Sequence, residues 1–230
     1  MISFKGRHFE NTIILMVVRW YVAYSLSYRN IEELVNERGI SIDHATINRW
    51  VIKYAPLLEN QFRKKHKRPA GFSWRMDETY IKNKGKWCYL YRAVDKEGDT
   101  VDFMLSAKRD RKAALKFFKK AIGSNGLPHT VTIDKSGANN AALERLNLLL
   151  LLNNLWLLFI TVRQIKYLNN IIEQDHRHIK RVTKPMLGFK SFASAKATIA
   201  GIELHHMLKK GQMENSANMP VWEQFAALAE

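Results

Sequence analysis

The order of residue patterns from position 72 onward constrains the fold most. "FSWRMDETYIK" alternates as a strand does, and "KWCYLYRAVDKEGDTVDFMLSAKR" reads as two further strands around a turn at Glu97, Gly98 and Asp99. The period then changes. "DRKAALKFFKKAIGSNG" sets Leu115, Phe118 and Ile122 on one helical face and stops at Gly123. "HTVTID" is a short buried strand, "NNAALERLNLLLLL" a helix and "LWLLFITV" a fifth strand, and "YLNNIIEQDHRHIKRV" and "SFASAKATIAGIELHHMLKK" are helices. Three antiparallel strands followed by helix–strand–helix–strand–helix predict an α/β fold, a mixed five-stranded sheet flanked by helices.

The first 55 residues read as helical. Ile13, Ile14, Val17, Val18, Tyr21 and Val22 recur at helical spacing. Ser27 can cap a helix carrying Ile31, Leu34 and Val35, and Gly39 stands where that helix must stop in a left-handed conformation. Asp43 caps a second helix with Ile47, Trp50 and Val51, expected to end before Pro56. Two short amphipathic helices around a Gly turn fit a helix-turn-helix, in which His44, Thr46, Asn48 and Arg49 would enter the major groove. An ordinary helical hairpin has the same spacing. The charge favours DNA: 37 Lys and Arg against 21 Asp and Glu give +16, an excess suited to a polyanionic partner. The basic run at 61–69 reads as a solvated linker that can track phosphates through Arg63, Lys64 and Lys65. The expected organisation is therefore a helix-turn-helix domain at 1–60, a basic linker at 61–71 and a catalytic domain at 72–230.

Several classes are disfavoured. The single cysteine, Cys88, cannot form an intramolecular disulfide or a thiolate metal cluster, and it reads as a buried filler. Residues 12–18 are too short to cross a bilayer, and the apolar stretch at 146–162 is interrupted by Asn153 and Asn154. It reads as a helix end, a turn and a strand, in a cytoplasmic protein with no membrane partner. His176, His178, His205 and His206 lack a metal-site pattern and read as phosphate contacts or surface positions. Trp74, Trp87 and Trp156 read as core.

Two carboxylates stand where chemistry is plausible. Asp77 falls mid-strand, an expensive place for an unpaired carboxylate, and Asp134 ends the fourth strand. If those strands are neighbours, the two acids converge at one edge. Glu173, on the helix after the fifth strand, can supply a third carboxylate for two hard cations. Rivals exist. Glu78 adjoins Asp77 but should point to the opposite face, and Asp175 should leave Glu173's helical face. Lys166 lies upstream of that helix, and Arg177 and Lys180 share Glu173's face; all three suit DNA phosphates.

Three blocks, in order, carry a resemblance. "WRMDETYIK", "TIDKSGANNAAL" and the stretch at 163–203, "RQIKYLNNIIEQDHRHIKRVTKPMLGFKSFASAKATIAGIE", resemble small bacterial insertion-sequence transposases of the IS-six type. That likeness covers nearly the whole chain. It implies a ribonuclease H-like, integrase-like catalytic core and a DDE triad at Asp77, Asp134 and Glu173. It also implies two Mg²⁺ ions per site, with Mn²⁺ as a substitute, and action on double-stranded DNA at terminal inverted repeats and at a target. The implied pathway nicks a 3′ end and joins it to target DNA, giving cointegrates, with at least a homodimer on DNA at the nucleoid. The segment between Asp134 and Glu173 is longer and more apolar than the family usual, which suits a variant connection, a decayed copy or packing against another protomer. The rival readings are a DNA-binding regulator with a ribonuclease H-like dimerisation domain, a nuclease without end joining, and a catalytically dead remnant.

Overall fold

The structure, a computed structural model, describes residues 2–6, 8–165, 170–216 and 218–230. Along the chain come helices α1 (Asn11–Ala23), α2 (Tyr28–Asn36) and α3 (His44–Lys65), then strands β1 (Ser73–Asn83), β2 (Lys86–Asp95) and β3 (Thr100–Ser106). There follow α4 (Arg111–Asn125), β4 (Thr130–Ile133), α5 (Gly137–Leu152), β5 (Thr161–Gln164), α6 (Asn170–Thr183), α7 (Phe192–Lys209) and α8 (Val221–Ala227). These divide into two compact units, Met1–Arg68 with Ile179–Glu230, and Pro69–His178. The sequence suggested instead a single domain from 72 to 230. The difference lies in α7: its apolar residues run all round the helix, so it is buried as the centre of the helical unit.

In that unit α7 packs on α1 and α3. Gly201 lies at the crossing, where a Cβ would stand 2.6 Å from Val22 and 2.8 Å from Ala55. The expected caps are present. Ser27 and Asn30 form a reciprocal capping box at α2, Gly39 turns the chain at φ 73°, and Asp43 accepts from the backbone of Ala45 and Thr46. Helix α3 does not stop at Pro56 but continues to Lys65, with Ile47, Trp50, Val51, Tyr54, Ala55, Leu58 and Phe62 buried on both sides of the proline. Burying that stripe outweighs the roughly 3 kcal/mol that an internal proline costs. Arg63, Lys64 and Lys65 are thus the last turn of a helix, where cations suit the dipole, and not linker.

The second unit holds a five-stranded sheet in the order β3-β2-β1-β4-β5, with β1, β2 and β3 antiparallel and β4 and β5 parallel to β1. This is the mixed five-stranded sheet expected. Lys84 and Gly85, both at positive φ, turn β1 into β2, and Asp95 accepts from the backbone of Glu97 and Asp99 to close the β2–β3 turn. Alternation sets Trp74, Met76, Tyr91, Ala93, Val131 and Ile133 against α4 and α5, which bring Phe117, Phe118, Ala142 and Leu143 to one core. Helix α4 passes Gly123 and ends at Gly126, φ 82°. The fifth strand is shorter than expected: a 3-10 turn occupies Trp156–Leu158, and β5 starts at Thr161. Asn147 fixes that connection, its side-chain amide bonding both backbone groups of Ile160. Cys88 and Trp74 are buried as read, Trp87 is exposed instead, and the Trp156 side chain lies outside the described residues.

Candidate active site

Strands β1 and β4 are parallel neighbours, paired through Arg75 and Thr132. Continuing that register by two residues sets Asp77 level with Asp134, the first residue beyond β4. The convergence read from the sequence is therefore what the sheet delivers. Among the described residues, carboxylate oxygens of Asp77, Glu78 and Asp134 all lie within 4.8 Å of one another. Glu78 was expected to be excluded by strand alternation. Its backbone does alternate, facing the α4–α5 side with Met76, but β4 ends at Ile133. Past that end, among the described residues, no strand flanks β1 on the β4 side, so the longer Glu side chain joins the cluster there.

Burial lifts the Asp77 carboxyl from the usual range to about 7, and the charges of Glu78 and Asp134 push in the same direction; the Glu78 backbone N–H and Arg109 oppose them. Glu78 is raised as well, by burial first, against the pull of Arg109 and Asn139. Arg109, just before α4, donates from Nη2 to Glu78 at 3.2 Å and stands 3.7 Å from Asp134. Asn139, fully buried near the start of α5, faces Glu78 without closing a bond of ordinary geometry. Three carboxylates with one guanidinium among them leave negative charge over, and all the donors are hard oxygens. That set fits a divalent cation.

Helix α6 is fastened over the other face of β1. Arg92 is the cross-strand partner of Asp77 and shares its face. It forms a buried pair with Asp175 at 2.5 Å, while His176 Nδ1 stands 3.7 Å from Asp77. Ile171 packs over Gly98 of the β2–β3 turn. Asp175 therefore holds the helix down, a role its spacing from Glu173 did not announce. His176 is buried beside the site and His205 is buried within α7, so neither is the surface position expected. Glu173 lies one turn before His176, on the same side, and is exposed; it stands outside the group of clustered oxygens. Arg177 and Lys180 are exposed, and Lys166 lies outside the described residues.

In the helical unit, His44 pairs with Glu32 at 2.9 Å, and Arg49 donates to Thr46, which itself bonds Asp43. A cleft of about 840 Å³ is lined by His44, Asn48 and Arg49 together with Lys190, a residue the sequence did not single out. Lys64 and Lys65 are exposed, whereas Arg63 is half-buried in an ion pair with Glu59.

The profile of a family described as "DDE domain" matches residues 71–212, and one described as "Transposase IS66 family" matches residues 7–132. The "Transposase for insertion sequence-like element IS431mec" of Staphylococcus aureus is 43% identical over 208 residues, 90% of this chain and 88% of that protein. The "Transposase for insertion sequence element IS257 in transposon Tn4003", also from Staphylococcus aureus, is 42% identical over the same shares. The chain belongs to the insertion-sequence transposases with a DDE domain.

Among solved structures, the HTLV-2 integrase catalytic core domain in complex with magnesium (trimeric form) matches 68% of this chain and 98% of its own, at 17% identity and TM-score 0.47. The DDE match spans the sheet and α6, so the acidic cluster lies inside the part of this transposase that defines its enzyme class. What sequence reading missed were Arg109, Asn139 and Arg92. Only Arg92 left a signal: a charge in the otherwise apolar "YLYRAV".

Proposed function

We propose that this transposase binds the terminal inverted repeats of its element, nicks their 3′ ends and joins them to target DNA, giving cointegrates. Asp77, Asp134 and Glu173 would hold two divalent cations, Mg²⁺ or in its place Mn²⁺. The observation that carries the reading is the convergence of Asp77 and Asp134 at one sheet edge, with charge that Arg109 alone does not balance. Glu173 is assigned because Asp175 and His176 anchor its helix over Asp77 and leave Glu173 exposed one turn away. Bound cations would make the attacking hydroxyl more acidic and stabilise charge on the leaving oxygen. The chain's own groups position the DNA. Arg177 and Lys180, on Glu173's face, would hold phosphates beside the reacting bond, with Lys166 upstream as a further phosphate contact.

End recognition falls to the helix-turn-helix. Asp43 fixes the start of α3, so His44, Thr46, Asn48 and Arg49 would meet base edges, while Lys64, Lys65 and, once released from Glu59, Arg63 would track the backbone. Acting on two ends calls for at least a dimer on DNA, working at the nucleoid in the cytoplasm. Among the described residues no helix is long and apolar enough to cross a membrane.

The test is a nicking and joining assay with the element's own ends, wild type beside Asp134→Asn. Metal-dependent nicking and joining, lost in the variant with end binding intact, is the expected result. End binding without cleavage by the wild type would point to a remnant or regulator, and nicking without joining to a nuclease.

A further inference from the structure

Helix α5 carries two apolar stripes. One, Ala142, Leu143 and Leu146, faces the sheet and is buried. The other, Leu148, Leu151 and Leu152, is exposed at i, i+3 and i+4, and Leu155, Leu157 and Leu158 continue it past the helix end. Leu152 is 68% exposed and Leu157 78%. A helix apolar on both sides belongs in an interior, so this face is built to be covered. Its exposed apolar area is on the order of 600 Å², at the top of the range for lone monomers and close to the roughly 800 Å² each partner gives a standard interface.

We propose that a second copy of this chain covers it, forming a two-fold dimer without DNA. Three observations select that occupant. The chain carries +16, so two copies repel over most of their surface, yet the whole stretch at 146–162 has no charged residue. A leucine stripe is complementary to itself, as a two-fold contact requires. Strand β5, which follows the stripe directly in the chain, is the outermost strand of the sheet and is largely exposed, and among the described residues no further strand pairs with its outer edge. A dimer contact here leaves the acidic cluster untouched, since Asp77 and Asp134 lie on β1 and beyond β4. The inference stands whether or not the chain cuts DNA.

The experiment is sedimentation velocity of the full chain, free of DNA and metal, across the micromolar range. The wild type is expected to show a reversible monomer–dimer equilibrium. The double variant Leu152→Glu, Leu157→Glu should dimerise at least roughly 100-fold more weakly, as loss of central hot spots does, with an unchanged circular dichroism spectrum and melt. Both positions are exposed, so the charges cost the monomer fold little. A separate variant, Trp87→Glu, places a charge on an exposed apolar residue of β2, from which β1 and β4 separate β5 in the sheet, and should dimerise as the wild type does. A wild type that stays monomeric throughout overturns the proposal, as does a double variant that dimerises undiminished. Binding of the monomeric wild type to anionic phosphatidylglycerol vesicles, lost in the double variant, would assign the face to a lipid surface and equally overturn it.

Discussion

Replacing Asp77 by Asn should stabilise the metal-free protein, because the carboxylate is held where its charge is disfavoured. Burial first, and then the neighbouring Glu78 and Asp134, raise its pKa from 3.8 to about 7. At 1.36 kcal/mol for each tenfold change, the whole difference is about 4 kcal/mol. The side chain keeps 20% exposure, and Asn loses the pull of Arg109, so about 1–3 kcal/mol is the expected gain at pH 8. The pH dependence has a definite sign. Between pH 3.8 and about 7 the folded state keeps a proton that the unfolded state has released, so wild-type stability falls as pH rises through that window. The variant lacks this decline, so its advantage is near zero at pH 4 and complete by pH 8. Urea denaturation in EDTA at both values measures it. Adding Mg²⁺ should stabilise the wild type and leave the variant almost unmoved, reversing their order. A variant less stable than the wild type at pH 8, or an advantage that does not grow with pH, would refute the electrostatic reasoning.

Other outcomes follow from the packing. Gly201→Ala should destabilise the helical unit by about 1–3 kcal/mol in thermal melts, because its methyl would meet Val22 and Ala55 well inside contact distance. Arg92→Ala should cost about 3–5 kcal/mol by leaving Asp175 buried without its charge partner, and an apolar replacement of both, Arg92→Met with Asp175→Leu, should recover most of that in urea denaturation. Asp43→Ala should lose about 1 kcal/mol with the α3 cap and weaken end binding in gel-shift titrations, while leaving the urea stability gain from Mg²⁺ intact.

How far the sequence spoke for the structure depends on the range of the interaction. Caps at Ser27 and Asp43, the left-handed Gly39 and the strand alternation around Asp77 are local, and each was legible. The convergence of Asp77 and Asp134 was legible only on the condition that their strands are neighbours, which the sheet order meets. Pro56 misled, since a local cost was outweighed by burial along the whole of α3. Glu78 misled for a different reason: alternation assigns faces, but it does not say where the adjacent strand stops. The partners from afar, Arg109 at the cluster and Asp175 beneath Arg92, depend on tertiary placement that no spacing encodes. The same holds for α7, whose apolar residues announced burial without naming the unit that would bury it.

The assignment of the third carboxylate is tested most directly by joining of a precut 3′ end to target DNA in Mg²⁺. Wild type would be set beside Glu173→Gln and Glu78→Gln, with end binding measured in parallel. Loss of joining with Glu173→Gln at full end binding, and retention of at least about a tenth of the rate with Glu78→Gln, is the expected result. The reverse pattern, an active Glu173→Gln and a dead Glu78→Gln, would place the third ligand on β1 and contradict the site as drawn.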